Sequence, residues 1–141
     1  MLILAQQTYI PDDNFEQALI DEGNDDVLDD SVLTININTL TILDLENKGI
    51  VDLTGIEDFI ALTTLKCQNN NLTSLDVSQN TALTTLRCKN NNLTSLDVSN
   101  NPALTDFICG SNQLTSLDVS NNTALTYLYC SYNQLDSLDV S

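Results

Sequence analysis

A segment of 21 residues recurs along the second half of this chain. It reads LTTLKCQNNNLTSLDVSQNTA at residues 62–82 and returns at residues 83–103, at 104–124 and, shortened, at 125–141. A fixed period of this length is the signature of a solenoid, in which each repeat is one coil that buries its apolar side by stacking on its neighbours. The period therefore constrains the fold more than any other feature of the sequence.

Each repeat holds two short arms with a common pattern, L-x-x-L-x-[C/V]-x-x-N. Leucines at this spacing fit neither a 3.6-residue helix nor one unbroken strand, so we expect two extended arms joined by bends, with the leucines pointing inward. Stacked coils lie about 4.8 Å apart, so equivalent residues should form ladders. The predicted ladders are Cys67, Cys88, Cys109 and Cys130; Asn70, Asn91, Asn112 and Asn133; and Asn80, Asn101 and Asn122.

The motif L-x-x-L-x-L-x-x-N-x-L resembles the leucine-rich repeat, and the nested form with Cys in the first arm and LDVS in the second resembles the bacterial subclass called IRREKO. The resemblance covers roughly Leu40 to Ser141. It implies a right-handed solenoid, mostly β and loop, with parallel strands. It also implies recognition of another molecule, without naming the ligand.

The unit at residues 40–61 differs from its successors because it has 22 residues. Lys48 stands where later units carry Asn. Its second half resembles the convex side of internalin-like repeats and places Ile56, Phe59 and Ile60 at helical spacing, which predicts a short helical turn.

Residues 11–39 read as an acidic cap on the first coil. A helix is predicted to begin after Pro11 and to end at Gly23, with Phe15, Ala18 and Leu19 on its buried face. The first coil of a solenoid has an apolar edge that such an element must cover. The alternating residues Leu33, Ile35 and Asn38 then predict a strand that forms a half-coil.

Residues 1–10 are read as the remnant of a signal peptide or as a disordered start. The apolar stretch MLILA is too short for a working signal peptide and has no basic region before it. Either it is the end of a longer signal, which predicts an extracellular or cell-surface location, or it is an accidental apolar terminus. No stretch approaches the roughly 20 apolar residues of a membrane span.

Charge and composition exclude several classes of function. The net charge is -16 with only four basic residues, so clustered Lys and Arg for phosphate contacts are lacking and a nucleic-acid partner is not expected. The chain has no His, and it contains neither a Gly-rich phosphate loop nor a pair of acids in contrasting environments. We expect no enzymatic activity and no cofactor.

Two groups of carboxylates leave a cation site open as the weaker alternative. The acidic loop at residues 24–30 lacks EF-hand spacing and is read as a solvated turn, although weak calcium binding would use Asp25, Asp26, Asp29 and Asp30. A second group repeats once per coil: Asp76, Asp97, Asp118 and Asp139. These carboxylates either hold cations along the ladder or are hydrated and accept hydrogen bonds from neighbouring Ser and Thr hydroxyls.

The cysteines are expected to be buried and reduced, because they take the inward position that Leu45 fills in the first unit. A disulfide between neighbouring in-register strands would be strained, and neither a His nor a C-x-x-C pair is present to make a metal site. The asparagines are expected to satisfy backbone groups at the bends, both within and between coils.

Outward positions around the first arm are what the repeat leaves free to vary. They are basic or Thr in the earlier units and become aromatic in the last, and outward tyrosines on a rigid sheet suit recognition. The alternatives are drift in a face without function, or cover for coils missing from this chain. The candidate ligand-binding residues are Lys66, Arg87, Asp106, Ile108, Tyr127, Tyr129 and Tyr132.

The sequence thus predicts a non-catalytic module for recognition of a protein or surface ligand, within a larger secreted or cell-surface bacterial protein. The alternative is a self-assembling solenoid. The sequence stops after a second arm with no capping element, so we expect an apolar C-terminal edge that could stack on another copy.

Overall fold

The computed structural model describes residues 5–140, which form a solenoid with one strand of a parallel sheet in each of five coils. The main sheet has the order β3-β4-β5-β6-β8. The elements are β1 (Gln7–Tyr9), α1 (Asp13–Asp21), β2 (Ser31–Leu33), α2 (Thr34–Ile37), β3 (Ile42–Asp44), β4 (Thr64–Lys66), β5 (Thr85–Arg87), β6 (Asp106–Ile108), β7 (Ser116–Asp118), β8 (Tyr127–Tyr129) and β9 (Ser137–Asp139).

The strands of the main sheet pair in the register that the repeat predicts. Leu65 lies beside Leu86, Leu86 beside Phe107, and Phe107 beside Leu128. The side chains of Leu65, Leu86 and Phe107 are fully buried. The predicted leucine-rich repeat solenoid is confirmed, because equivalent residues stack coil on coil along one continuous core.

The predicted capping helix is α1. Asp12 is its N-cap, and its buried face consists of Phe15, Ala18 and Leu19, together with the carboxylate of Glu16. At the other end Gly23 has φ 77°, and the N–H of Asn24 donates to the carbonyl of Leu19, which is a Schellman closure. The helix packs against the first coil, where the rings of Phe15 and Phe59 stack with their centroids 5.9 Å apart.

The cap also contains a strand pair that the sequence did not predict. Strand β1 pairs antiparallel with β2, and Ile10, which follows β1, is fully buried, so residues 7–10 belong to the folded cap rather than to a disordered start. The remainder of the apolar start, residues 1–4, lies outside the described residues.

The strand predicted over Leu33, Ile35 and Asn38 is wrong. Strand β2 ends at Leu33, and the chain turns into the short helix α2, which leaves Ile35 71% exposed. The physical reason is that α2 directs Ile37 into the core instead, where it is fully buried.

The first coil has the helical turn that was predicted, a 3-10 helix at Ile56–Asp58. Ile56 and Phe59 are buried, whereas Ile60 is 61% exposed, because the 3-10 helix ends before it. Gly55 has φ 101°, and a Cβ there would lie 2.6 Å from the carbonyl oxygen of Tyr9. Only glycine lets the cap approach the first coil this closely.

The second arms behave differently from the first arms. Strand β7 pairs in parallel with β9, but the equivalent segments 74–76 and 95–97 form no paired strand. An open cleft of 400 Å³ lies between those two segments, and Leu96 is only half-buried. The coils are therefore joined continuously along the main sheet and only locally along the second arms.

Candidate functional site

The main sheet presents a face of outward side chains from β4, β5, β6 and β8, which we call the sheet face. Its strands are three residues long with the central residue inward, so the first and third residues of each strand point outward. The pairing brings six predicted residues together in two rows: Lys66, Arg87, Ile108 and Tyr129 in one, and Asp106 and Tyr127 in the other. Tyr132, the seventh, lies in the turn after β8 and is 78% exposed.

Two ion pairs tie charged residues of the sheet face to neighbouring strands. Lys66 Nζ lies 3.0 Å from Asp44 Oδ2, and Arg87 Nη2 lies 3.0 Å from Asp106 Oδ2. Burial alone would raise the pKa of Asp44, but the hydrogen bonds from Lys66 and from the backbone of Glu46, with the charges of Lys66 and Lys48, together outweigh burial and leave that pKa below its ordinary value. Arg87 Nε and Asp106 Oδ1 are buried atoms without a hydrogen-bond partner among residues 5–140, so this second pair is joined by one bond rather than two.

The ring of Tyr129 leans back across the preceding coil, which the sequence did not predict. A Cβ on Gly110 would lie 2.3 Å from Tyr129 Cε1, so the ring occupies the space that a side chain at position 110 would need. On the coil before that, Lys89 Nζ lies 5.4 Å from the centre of the same ring, within range of a cation–π interaction. Tyr129 is half-buried as a result, and it contacts both preceding coils.

One residue in each coil adopts a left-handed backbone after the strand of the main sheet. The φ angles lie between 55° and 59°. Asn tolerates this region well, whereas a bulky residue there is an outlier. The residues concerned are Asn47, Asn69, Asn90, Ser111 and Tyr132, so the last coil places an exposed aromatic ring on a conformation that disfavours it.

The acidic loop is organised by a buried carboxylate of the capping helix. Glu16 accepts hydrogen bonds from the N–H groups of Asp29, Asp30 and Ser31 at 2.9–3.1 Å. Burial, together with the neighbouring acids, raises the pKa of Asp25 in this loop. Within the described chain, no three His, Cys, Asp or Glu side chains lie close enough to hold one metal ion, so the loop acids Asp25, Asp26, Asp29 and Asp30 are not brought together as a ligand set.

The carboxylates repeated in the second arms accept hydrogen bonds locally. Asp76, Asp97 and Asp118 each accept the backbone N–H of the serine two residues later at 2.9 Å. Hydrogen bonds from these serines lower the pKa of Asp76 and of Asp97. All three carboxylates are exposed, and the lowered pKa keeps Asp76 and Asp97 ionised at neutral pH.

The cysteine ladder is present, with one correction. Cys67, Cys88 and Cys109 are buried free thiols, and burial raises the pKa of Cys67 and of Cys109 to about 12 and that of Cys88 well above its ordinary value. Cys130 is half-exposed rather than buried, because the last coil of these 141 residues is covered from one side only. A thiol held neutral is a poor nucleophile, so the buried thiols are suited to packing and not to chemistry.

The two asparagine ladders differ in how fully their amides are bonded. In the first arm, Asn91 Nδ2 donates to the carbonyls of Cys67 and Cys88, and its Oδ1 accepts the N–H of Leu72. In the second arm, Asn101 Nδ2 donates to two carbonyls, but its Oδ1 has no partner among the described residues. Asn80 and Asn122 repeat this arrangement. The amides of both ladders therefore bond backbone groups, and only those of the first arm also use their oxygen atom.

The stacked coils, the in-register sheet and the asparagine and cysteine ladders define a leucine-rich repeat solenoid. Among known proteins, this chain is similar to internalins. The chain is 46% identical over 73 residues to Internalin J of Listeria monocytogenes serotype 4b (strain F2365), which is 52% of this chain and 8% of that protein. Internalin J of Listeria monocytogenes serovar 1/2a (strain ATCC BAA-679 / EGD-e) is 47% identical over 73 residues, again 52% of this chain and 8% of that protein.

Solved structures of internalins superpose on this chain. The functional domain of InlJ from Listeria monocytogenes, which is described as including a cysteine ladder, superposes with a TM-score of 0.88 at 44% identity, covering 100% of this chain and 32% of that one. Internalin C2 (inlC2) from Listeria monocytogenes str. 4b F2365 superposes with a TM-score of 0.71 at 18% identity, covering 99% of this chain and 80% of that one, which shows a shared fold.

These comparisons support a bacterial, internalin-like leucine-rich repeat protein. No family model matches the chain. The chain spans less than a tenth of the length of the curated relatives and about a third of the InlJ domain. In residues 5–140, no helix has the length and apolar character needed to cross a membrane.

Proposed function

We propose that this chain is a non-catalytic recognition module that binds a protein or surface ligand through its sheet face, within a larger secreted or cell-surface bacterial protein. One observation carries the proposal: the frame repeats in register while the outward side chains change from Lys66 and Arg87 to Ile108 and Tyr129 along one row. A rigid frame with variable outward residues is the arrangement that repeat proteins use to build extended binding surfaces.

The proposed location and the lack of catalysis have separate support. The similar proteins are internalins, and the chain covers only a small part of each, which favours a module of a larger protein. Two groups of side chains argue against catalysis. They are the buried, neutral thiols and the charged groups of Lys66, Arg87 and Asp106, which form ion pairs with neighbouring strands. Neither group is poised to act as a nucleophile or a general base.

A peptide selection tests this proposal and does not require the natural ligand. A random displayed library is selected against the intact protein, and each enriched peptide is then measured against the Tyr127→Ser/Tyr129→Ser double variant. We expect binding to fall by about tenfold or more. Because the Tyr129 ring is half-buried over Gly110, the single variant Tyr127→Ser, at a side chain that is 52% exposed, is the one that should keep the melting temperature close to the parent value. Enriched peptides that bind both proteins equally would place recognition elsewhere.

Self-association is the second candidate, and one observation favours it. Leu138 and Val140 in the last coil are exposed, and Leu125, Leu128 and Leu135 are only partly buried, so an apolar edge is open to a further coil of the same polypeptide or of another copy. Sedimentation of the 141-residue chain over a range of concentrations distinguishes the two. A monomer at all concentrations would remove self-association.

A further inference from the structure

We propose that the sheet face contains a subsite for an acidic side chain beside an aromatic one, centred on Lys89 and Tyr129, with Gly110 as its positioning residue. The ligand class is an extended protein segment in which Asp or Glu is adjacent to Tyr, Phe or Trp. This inference rests on the proposed recognition function and adds the chemistry of the partner.

The charge distribution singles out Lys89. The chain has 20 acidic and four basic residues, and three of the basic residues have a carboxylate within 3.8 Å: Lys48 with Asp21, Lys66 with Asp44, and Arg87 with Asp106. In residues 5–140, Lys89 makes no ion pair. Among the basic side chains that the structure describes, its ammonium is therefore the one without a carboxylate at ion-pair distance.

The position of that ammonium is fixed by an aromatic ring rather than by an acid. Lys89 Nζ lies 5.4 Å from the centre of the Tyr129 ring, which is a contact that holds the cation without neutralising it. A ligand carboxylate that approaches Lys89 would therefore displace no protein carboxylate from it. It would meet a donor already ordered by packing, which lowers the entropy cost of binding.

Gly110 makes this arrangement possible. At the equivalent position the two preceding coils carry Gln68 and Lys89, whereas a side chain at 110 would collide with the Tyr129 ring, 2.3 Å from Cε1 and 2.6 Å from Cδ1. Without Gly110 the ring could not lie back toward Lys89. The three residues come from three successive coils, so stacking itself assembles the subsite.

The surroundings of Lys89 supply the aromatic half of the specificity. Ile108 lies beside Tyr129 in the register of the sheet, and Tyr127 and Tyr132 are exposed on the same coil as Tyr129. A further strand beside β8 would extend the sheet sideways and would leave these outward side chains open. An acid with an aromatic neighbour thus gains both a charge contact and apolar contact.

The overall charge of -16 makes the subsite selective. A purely acidic segment is repelled by the rest of the molecule, so the single ammonium is too little to bind it. An aromatic neighbour adds contact that does not depend on charge. The combination should therefore bind where the acid alone does not.

Binding of synthetic copolymers tests the inference with the intact chain. The probes are a Glu–Tyr copolymer, poly-Glu and a Lys–Tyr copolymer, each measured by biolayer interferometry at physiological salt, where long-range repulsion is screened. We expect the Glu–Tyr copolymer to bind about tenfold or more tightly than poly-Glu. Lys89→Gln should weaken its binding by about fivefold, whereas the matched change Lys48→Gln, outside the sheet face, should have less than about a twofold effect.

Gly110→Ala provides a readout that a merely structural role would not produce. The added methyl group should displace the Tyr129 ring. This displacement should remove the upfield ring-current shift of the Lys89 side-chain methylenes in NMR spectra and should weaken copolymer binding as Lys89→Gln does. Tyr129→Phe retains the ring, so it should keep both the shift and the binding. If Gly110→Ala reduces stability, Tyr129→Phe still tests whether the ring at position 129 is sufficient for copolymer binding.

The outcomes separate this inference from the recognition function on which it rests. Loss of Glu–Tyr binding in Tyr127→Ser/Tyr129→Ser but not in Lys89→Gln would keep the sheet face and overturn the acid subsite. No binding of Glu–Tyr to the parent chain would likewise overturn it. So would an equal loss of Lys–Tyr binding in Lys89→Gln, because a cationic polymer drawn to the net charge of -16 has no use for this ammonium. Binding that none of these variants changes would overturn the sheet face as well.

Discussion

The carboxylate of Asp12 accepts a hydrogen bond from the backbone N–H of Val51 at 2.8 Å, across 39 residues of sequence. The same oxygen accepts the N–H of Asp52, while the other oxygen caps helix α1 by accepting the N–H groups of Asn14 and Phe15. One buried side chain thus fixes the capping helix to the first coil.

This bridge predicts that Asp12→Ala destabilises the whole cap. The substitution removes the N-cap and leaves the N–H groups of Val51 and Asp52 without their acceptor, so we expect a loss of about 2–4 kcal/mol in the free energy of unfolding. Asp13→Ala is the matched control, because Asp13 is exposed in the same helical turn. Urea unfolding followed by circular dichroism measures both, and equal losses would show that the bridge contributes little.

The ladders were predictable from sequence because the period itself determines them. Once one coil is placed, the 21-residue repeat puts Leu86 beside Leu65 and Cys88 beside Cys67 without further information. The αL turn after each strand is likewise encoded locally, since Asn69 and Asn90 suit a positive φ.

What the sequence could not show are contacts between unlike residues of different units. The bond from Val51 to Asp12 and the pairing of Gln7 with Leu33 depend on how the cap folds back, which no period encodes. The close approach of Gly110 and Tyr129 depends on a missing side chain in one coil and a ring in the next. The sequence signal for this contact was Gly110 itself, which stands where the two preceding coils carry the longer side chains of Gln68 and Lys89.

The different bonding of the two asparagine ladders predicts unequal costs of substitution. Asn91→Ala leaves the N–H of Leu72 without a partner, while the carbonyls of Cys67 and Cys88 keep their bonds from Asn70 and Asn112. Asn101→Ala leaves no such group, because the carbonyls of Val77 and Asn80 keep their bonds from backbone N–H groups. Each variant also loses two hydrogen bonds to carbonyls, so we expect Asn91→Ala to cost about 1–3 kcal/mol more than Asn101→Ala, which is the cost of one unsatisfied buried group. Chemical denaturation of the two variants in parallel measures the difference. A larger loss for Asn101→Ala would mean that its Oδ1 contributes more than the protein contacts show.

Thiol labelling should distinguish the last coil from the others. At pH 8 a bulky maleimide should modify Cys130 first, because Cys130 is half-exposed while Cys67, Cys88 and Cys109 are buried. Cys130→Ser should remove the fast phase and leave the slow one. Rapid modification of more than one thiol in the native protein would contradict the stacked core.

The buried thiols also predict how stability depends on pH. A native-state pKa raised to about 12 for Cys67 and Cys109 means that the folded state keeps its thiol protons when an unfolded chain loses them. This contribution is fully present below the unfolded thiol pKa of about 8.5 and is lost as pH rises toward the folded value. Urea midpoints should therefore fall between pH 8 and pH 10, and less so in Cys67→Ala, when each protein is compared with its own midpoint at pH 7. An equal fall in both proteins would assign the effect to other groups.

Substitution of Tyr132 should separate an effect on stability from an effect on ligand binding. Its φ of 59° disfavours a bulky residue, and its side chain is 78% exposed, so the ring gains little packing in return. Tyr132→Asn restores the residue type that Asn69 and Asn90 supply at the same φ. The variant should be more stable by about 0.5–1 kcal/mol, because the left-handed region costs a non-Gly residue about 1–2 kcal/mol and Asn tolerates it better.

If the ring is retained for binding, the same variant should bind the Glu–Tyr copolymer more weakly even though it unfolds at higher urea. Tyr132→Phe keeps both the ring and the strain and should leave stability and binding almost unchanged. A Tyr132→Asn variant that is less stable than the parent would show that the ring stabilises the last coil, and the backbone strain would then have no connection with recognition.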